Sequence, residues 1–370
     1  MTIRTVCVGV AFLAAPMLAP AQSADFSGVH AFWRIAEQLR RNEEPADAAW
    51  DSLFATPGYA ALHARERRRP ALVTAFRAAF MPSRTAERDS ILSTNNWASR
   101  VIRHVQPLPA RRAALDAFMA KVQRNDMVGR ALVQAATLLP PGTVNKFGRP
   151  PVAFIFFLPD GRGYPGLIVA DLERTRTKVD PVPFFAHETT HFYYARIARD
   201  KGLNDWLVTD AGAAALRTLL TKLHEESIGD QFDKVDAIAL TEVARAKKYG
   251  ADSSWLSYLN DYRAEFDSAE TRVRQLDAML LAAAASPATL GAMSELLAKS
   301  LPLEGRPLGM YLTRGIRRAL GDARIRATVG DPFTWLLAYA QAAERKRCDC
   351  TPLSRRSVTL LYSLRSTEHR

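Results

Sequence analysis

The stretch PFFAHETTHFYYARIARD, Pro183 to Asp200, decides how the rest of the chain is read. It carries two histidines four residues apart, His187 and His191, with Glu188 directly after the first. On a helix of about 3.6 residues per turn the two imidazoles stack on one face about one turn apart, so a nitrogen from each can reach the same metal ion. Stepping at about 100° per residue sets Phe184, His187, His191, Tyr194, Ala195 and Ala198 in one inward stripe and leaves Arg196 and Arg199 outside it. Buried imidazoles need hydrogen-bond partners or a metal. The bland alternative is a pair of core histidines satisfied by hydrogen bonds.

A second helix is expected from about Asp210, with Leu216, Leu219, Leu220 and Leu223 as its buried stripe. The same period carries that stripe on to Glu226 and Asp230 and turns Glu225 about 180° away, toward solvent. A buried carboxylate needs a cation, and a metal held by His187 and His191 would supply one to Glu226. His224 is the nearest alternative third ligand.

Around these two helices the pattern is mainly helical. Residues 25 to 139 show apolar spacing of three and four, with breaks at TPGY, MPSRTAE and LPPGT, and the chain after residue 236 is again helical. PVAFIFFLP (Pro151–Pro159) and GLIVADLE (Gly166–Glu173), separated by the turn-rich DGRGYP, read as two strands of a small antiparallel sheet just before the motif helix. The expected fold is therefore α+β and predominantly α-helical. Four regions follow: a signal peptide at 1–21, an N-terminal helical region at 22–145, a core of sheet and motif helices at 146–235, and a C-terminal helical region at 236–370.

The first residues have the three-part layout of a cleavable secretory signal: Arg4, an apolar run from Val6 to Ala15, and the small-residue site Ala19-Pro20-Ala21. They predict a mature start near Gln22 and a periplasmic or secreted protein without a transmembrane segment. Only Cys348 and Cys350 remain after that point, too few for a disulfide framework, and at this spacing they stand close to the geometric limit for bridging. Lys and Arg number 50 against 38 Asp and Glu, a net charge of +12 that favours acidic partners. The basic runs lack the interleaved aromatics of a nucleic-acid platform, so no nucleic-acid partner is expected.

Taken together, His187-Glu188-x-x-His191 and the later Glu226-x-x-x-Asp230, 35 positions beyond His191, resemble the gluzincin (thermolysin-like) class of zinc metallopeptidases. WDSLFATPGYAAL (Trp50–Leu62), the paired strands, the motif helix and EESIGDQFD (Glu225–Asp233) are similar to bacterial families of zinc-dependent peptidases. The metzincin pattern would need Gly and His where this chain has Tyr194 and Ile197. In the similar families the second segment reads Glu-Gly-x-Ala-Asp, and Ser227 and Gly229 stand at its small positions here. The resemblance implies a Zn2+ ion on His187, His191 and Glu226, Glu188 as general base, Asp230 behind His187, and a peptide or protein substrate. It implies a transition-state donor too, for which Tyr311 is the candidate, and by analogy a peptide paired along the edge of the GLIVADLE strand. The rival reading is a non-catalytic exported binding protein with a structural or vestigial metal site.

Overall fold

The computed structural model describes residues 24–164, 166–203 and 211–367. The signal-peptide reading lies outside them. Within them the chain is predominantly helical around one small sheet, and no helix is long and apolar enough to cross a membrane.

The sheet has four strands in the order β1-β2-β4-β3: β1 Ala24–Asp25, β2 Val152–Ile155, β3 Gly161–Tyr164 and β4 Leu167–Asp171. It departs from the expected antiparallel pair. β2 and β4 run parallel, Val152 opposite Ile168, and the segment read as a turn forms β3, antiparallel to β4 with Gly161 opposite Ala170. The reason lies in the alternation along β3. Gly161 and Gly163 face the motif helix where no side chain fits, whereas Arg162 and Tyr164 point away and both bond the Glu66 carboxylate, at 2.9 and 3.0 Å. A period of two written in glycine carries no hydrophobic signal, so it reads as a loop. β4 is consequently an interior strand, and the edge next to the motif helix belongs to β3.

β2 and β4 are buried throughout apart from Leu167, and the early segment Trp50–Leu62 packs on β2. Tyr59 Oη donates to the Phe156 carbonyl at 2.8 Å, and a Cβ on Gly58 would lie 2.5 Å from Ile155 Cγ2. Asp171 ends β4 and caps the helix Leu172–Thr177, its Oδ1 accepting from Arg174 N at 2.7 Å while His104 Nε2 meets its Oδ2 at 2.8 Å. That turn carries Arg174 and Lys178 to the rim of the cleft described below.

The motif helix runs Val182–Asp200. Pro181 and Pro183 suit its start, where amide donors have no helical partner, and Asp180 Oδ1 accepts from Val182 N at 3.0 Å. It stops in a Schellman turn: Gly202, at φ 71°, donates to Arg199 O and Leu203 donates to Ala198 O, both at 2.9 Å. The helix is buried nearly all round, between β3, the helix Met127–Ala136 and the acidic helix Ala211–Asp233. The acidic helix is itself enclosed by Leu290–Ser300, Arg306–Leu320 and Pro332–Ala343. Cys348 and Cys350 are joined in a disulfide, with Cα atoms 5.0 Å apart.

Candidate metal centre

The motif helix and the acidic helix meet at His187. Its Nε2 lies 2.9 Å from His191 Nε2 and 3.5 Å from Glu226 Oε2, and His191 Nε2 lies 3.8 Å from the same oxygen. On its other side His187 Nδ1 faces Asp233 Oδ1 at 3.1 Å and Asp230 Oδ1 at 3.4 Å, while His191 Nδ1 faces Glu225 Oε1 at 3.0 Å. Such close packing requires Gly229, because a Cβ there would lie 2.6 Å from His187 Nδ1.

Carboxylates only accept, so each Nδ1 carries a proton toward its acid, and the facing pair of Nε2 atoms shares a third. Three protons on two rings make one imidazolium. Burial works against charge on His187, but Asp233 outweighs it and holds the ring up to about 10. Burial would likewise raise Glu226, yet His191 and Arg306 hold its carboxyl well below the usual range. Arg306 Nη2 stands 2.8 Å from both Glu226 Oε2 and Asp230 Oδ1, and Tyr262 Oη donates to Asp230 Oδ2 at 2.8 Å.

Among the described residues two sets of donors come close enough to hold a metal ion: His187, His191 and Glu226; and His187, Asp230 and Asp233. The first set passes a further test. Tetrahedral bonds of about 2.0–2.1 Å place ligand atoms about 3.3–3.4 Å apart, and the observed separations bracket that span. Glu226 Oε2 is also buried without a hydrogen bond among the described residues, since Arg306, 2.8 Å away in an ion pair, lies off the line a hydrogen bond needs. Both sets already carry a cation, Arg306 on Glu226 in the first and Arg306 with Lys234 in the second, where Lys234 Nζ is 2.5 Å from Asp233 and 3.7 Å from Asp230.

A protein-family model described as "Putative zinc dependent peptidase (DUF5700)" matches residues 50–347, most of the chain. The chain belongs to this family. Neither a curated protein nor a solved structure gives a match.

The donors open onto a cleft of about 860 Å3. β3 forms one wall, Trp255 and Tyr258 of the helix Ser253–Asp267 another, and the turn Leu303–Arg306 the third. Leu303, Glu304 and Gly305 all have left-handed φ, 48°, 58° and 78°, and this turn delivers Arg306 to the acids. Glu188 lies in the cleft wall, 6% exposed, and its burial raises its carboxyl pKa against the pull of the two histidines. A Cβ on Gly161 would come within 3.2 Å of the Glu188 carboxyl carbon and 2.4 Å of the Phe184 ring. At Gly163 the obstacles are less yielding: Glu188 O and His191 Cβ, each at 2.5 Å. Gly163→Ala is therefore expected to cost about 1–3 kcal/mol of stability, read from urea or thermal unfolding.

Three sequence expectations change. Glu225 does not point to solvent: it lines the cleft and partners His191. Helical phase fails there because the acidic helix packs on several sides, so a single stripe does not describe it. Tyr311 is buried against Phe266 and Tyr339, its hydroxyl near Thr351 N, and is absent from the cleft lining. His224 faces the opposite side, stacked on Trp335 and bonded to Tyr194 Oη at 2.9 Å, and its burial keeps the ring neutral. Asp233, Arg306 and Tyr258 carry no motif; only the register of the acidic helix, with Asp233 two turns beyond Glu226, could have signalled the first.

Proposed function

We propose that the protein is a zinc-dependent peptidase whose ion is held by His187, His191 and Glu226. The observation that carries this is the convergence of Glu226 Oε2 and two imidazole nitrogens at the base of an open cleft, where that oxygen is ion-paired with Arg306 but makes no hydrogen bond among the described residues. Zinc bound there would acidify a water molecule and polarise the scissile carbonyl.

The remaining roles belong to the chain itself. Glu188, its proton affinity raised by burial, takes the proton of the attacking water and returns it to the leaving amine. Glu225 and Asp233, with Asp230 behind, fix the two rings with Nε2 inward. The Tyr258 hydroxyl is buried, lacks a hydrogen-bond partner among the described residues and is kept protonated by that burial. It takes the oxyanion-donor role in place of Tyr311, and Tyr258→Phe is expected to lower kcat about 10- to 100-fold with little change in zinc affinity. The free edge of β3 offers an extended peptide main-chain hydrogen bonds, with Gly161 and Gly163 allowing close approach to Glu188. Export by the signal at residues 1–21 belongs to the same reading.

Loading with zinc tests it without a known substrate. Both Nε2 atoms must give up the proton they share, so binding near pH 7 should release about one proton per zinc, and affinity should rise with pH toward the raised imidazole value. Calorimetry in buffers of different ionisation enthalpy measures this. Stoichiometric zinc without proton release would refute the imidazolium pair. No zinc binding at all would remove the peptidase reading.

A further inference from the structure

Six lysines and arginines line the cleft: Arg162, Arg174, Lys178, Lys222, Lys234 and Arg306. Five have carboxylate partners. Arg162 pairs with Glu66 and Asp160, Arg174 with Asp252, Lys222 with Glu304, Lys234 with Asp233, and Arg306 with Glu226 and Asp230. The Lys178 ammonium has neither an ion pair nor a hydrogen bond among the described residues.

Its ammonium is nevertheless held in place. Nζ lies 4.6 Å from the centre of the Phe184 ring and 4.7 Å from that of Trp255. Arg174 and Lys234 approach the same indole at 5.4 and 4.9 Å. Three cations thus gather on one ring, and two of them are neutralised. Aromatic faces orient an ammonium but replace little of its hydration, and like charges nearby make the deficit larger. Burial, with Arg174 alongside, pulls the Lys178 amine down to about 8 against the longer-range attraction of Asp233 and Glu188. Phe184 stands one helical turn, about 5.4 Å along the axis, before Glu188 on the motif helix. The unpartnered ammonium is therefore next to the reaction centre, on the side away from His191.

Building on the peptidase reading, we infer that Lys178 is the specificity-determining residue of the cleft and binds a carboxylate carried by the peptide next to the scissile bond. An acidic side chain and a free C-terminus present the same chemistry. A chain with a net charge of +12 would draw such peptides toward the cleft.

The test uses the zinc-loaded full chain and a peptide it cleaves. Glu and Gln are exchanged at each position within three residues of the cleaved bond, and separately the C-terminus is left free or amidated. At one position, or at the C-terminus, the carboxylate member should have kcat/KM about 10- to 100-fold above its amide partner, the range of a charge-assisted hydrogen bond. The arm that responds tells an acidic side chain from a chain terminus. Lys178→Met, which still fits between the rings, should bring that ratio close to one, and Lys178→Arg should keep most of it. Hydrolysis by the wild type with a ratio near one throughout overturns this inference and leaves the peptidase reading standing; so does an unchanged ratio in a folded Lys178→Met protein. If no peptide is cleaved, the peptidase reading fails, and calorimetric titration of the same pairs still decides: equal affinities refute a carboxylate site, and tighter binding of the acid supports it.

Discussion

Glu188→Gln should bind zinc as the wild type does and hydrolyse peptides about 10²- to 10⁴-fold more slowly. The amide keeps the shape of the carboxyl group against Gly161 and removes the only feature the proposed chemistry needs, a proton acceptor in a dry wall of the cleft. Burial raises this carboxyl above the usual range, so the acid limb of the wild-type kcat/KM profile should fall above the ordinary glutamate value of about 4.3. Zinc content by elemental analysis separates loss of chemistry from loss of metal. A variant with zinc and full activity would remove Glu188 from the mechanism.

The second large effect concerns the donors. His191→Ala and Glu226→Gln should each weaken zinc binding by more than about 100-fold, because each takes away one of the three proposed ligands. Glu225→Gln should cost about 10- to 100-fold, since an amide holds the Nδ1 proton of His191 less firmly than a carboxylate. Competition against a chelator of known affinity measures all three. Indifference at Glu226 with severe loss at Asp230 and Asp233 would move the ion to the other donor set, on the far side of the His187 ring.

The position of Glu225 shows how far sequence periodicity reaches. Its period assigned Leu216, Leu219, Leu220 and Leu223 to the interior, and all four are buried. Apolar burial is a property of one helix face and can be read locally. A long glutamate on the flank of that face can still reach a histidine on the neighbouring helix, and which flank does so depends on how the helices cross. Tyr311 failed for the same reason: it is on the helix that brings Arg306 to the acids, but on a face packed against Phe266 and Tyr339. β3 escaped because its alternation is of glycine with larger residues rather than of apolar with polar.

The sequence by itself determined what the spacing of residues along a helix can determine: two histidines one turn apart with a glutamate directly after the first, a later helix with Glu226 and Asp230, and a chain that is mostly helical. Tertiary structure alone decided that β3 is the edge strand, that Glu225 and Asp233 partner the rings, that Arg306 and Tyr258 enter the cleft, and that the Lys178 ammonium makes no ion pair among the described residues. The division has a physical cause. Backbone periodicity fixes which side chains share a face, over distances of one or two turns. Charge pairing and strand order depend on which faces are brought together from positions far apart in the chain, such as Glu226 and Arg306, and no local pattern encodes that meeting.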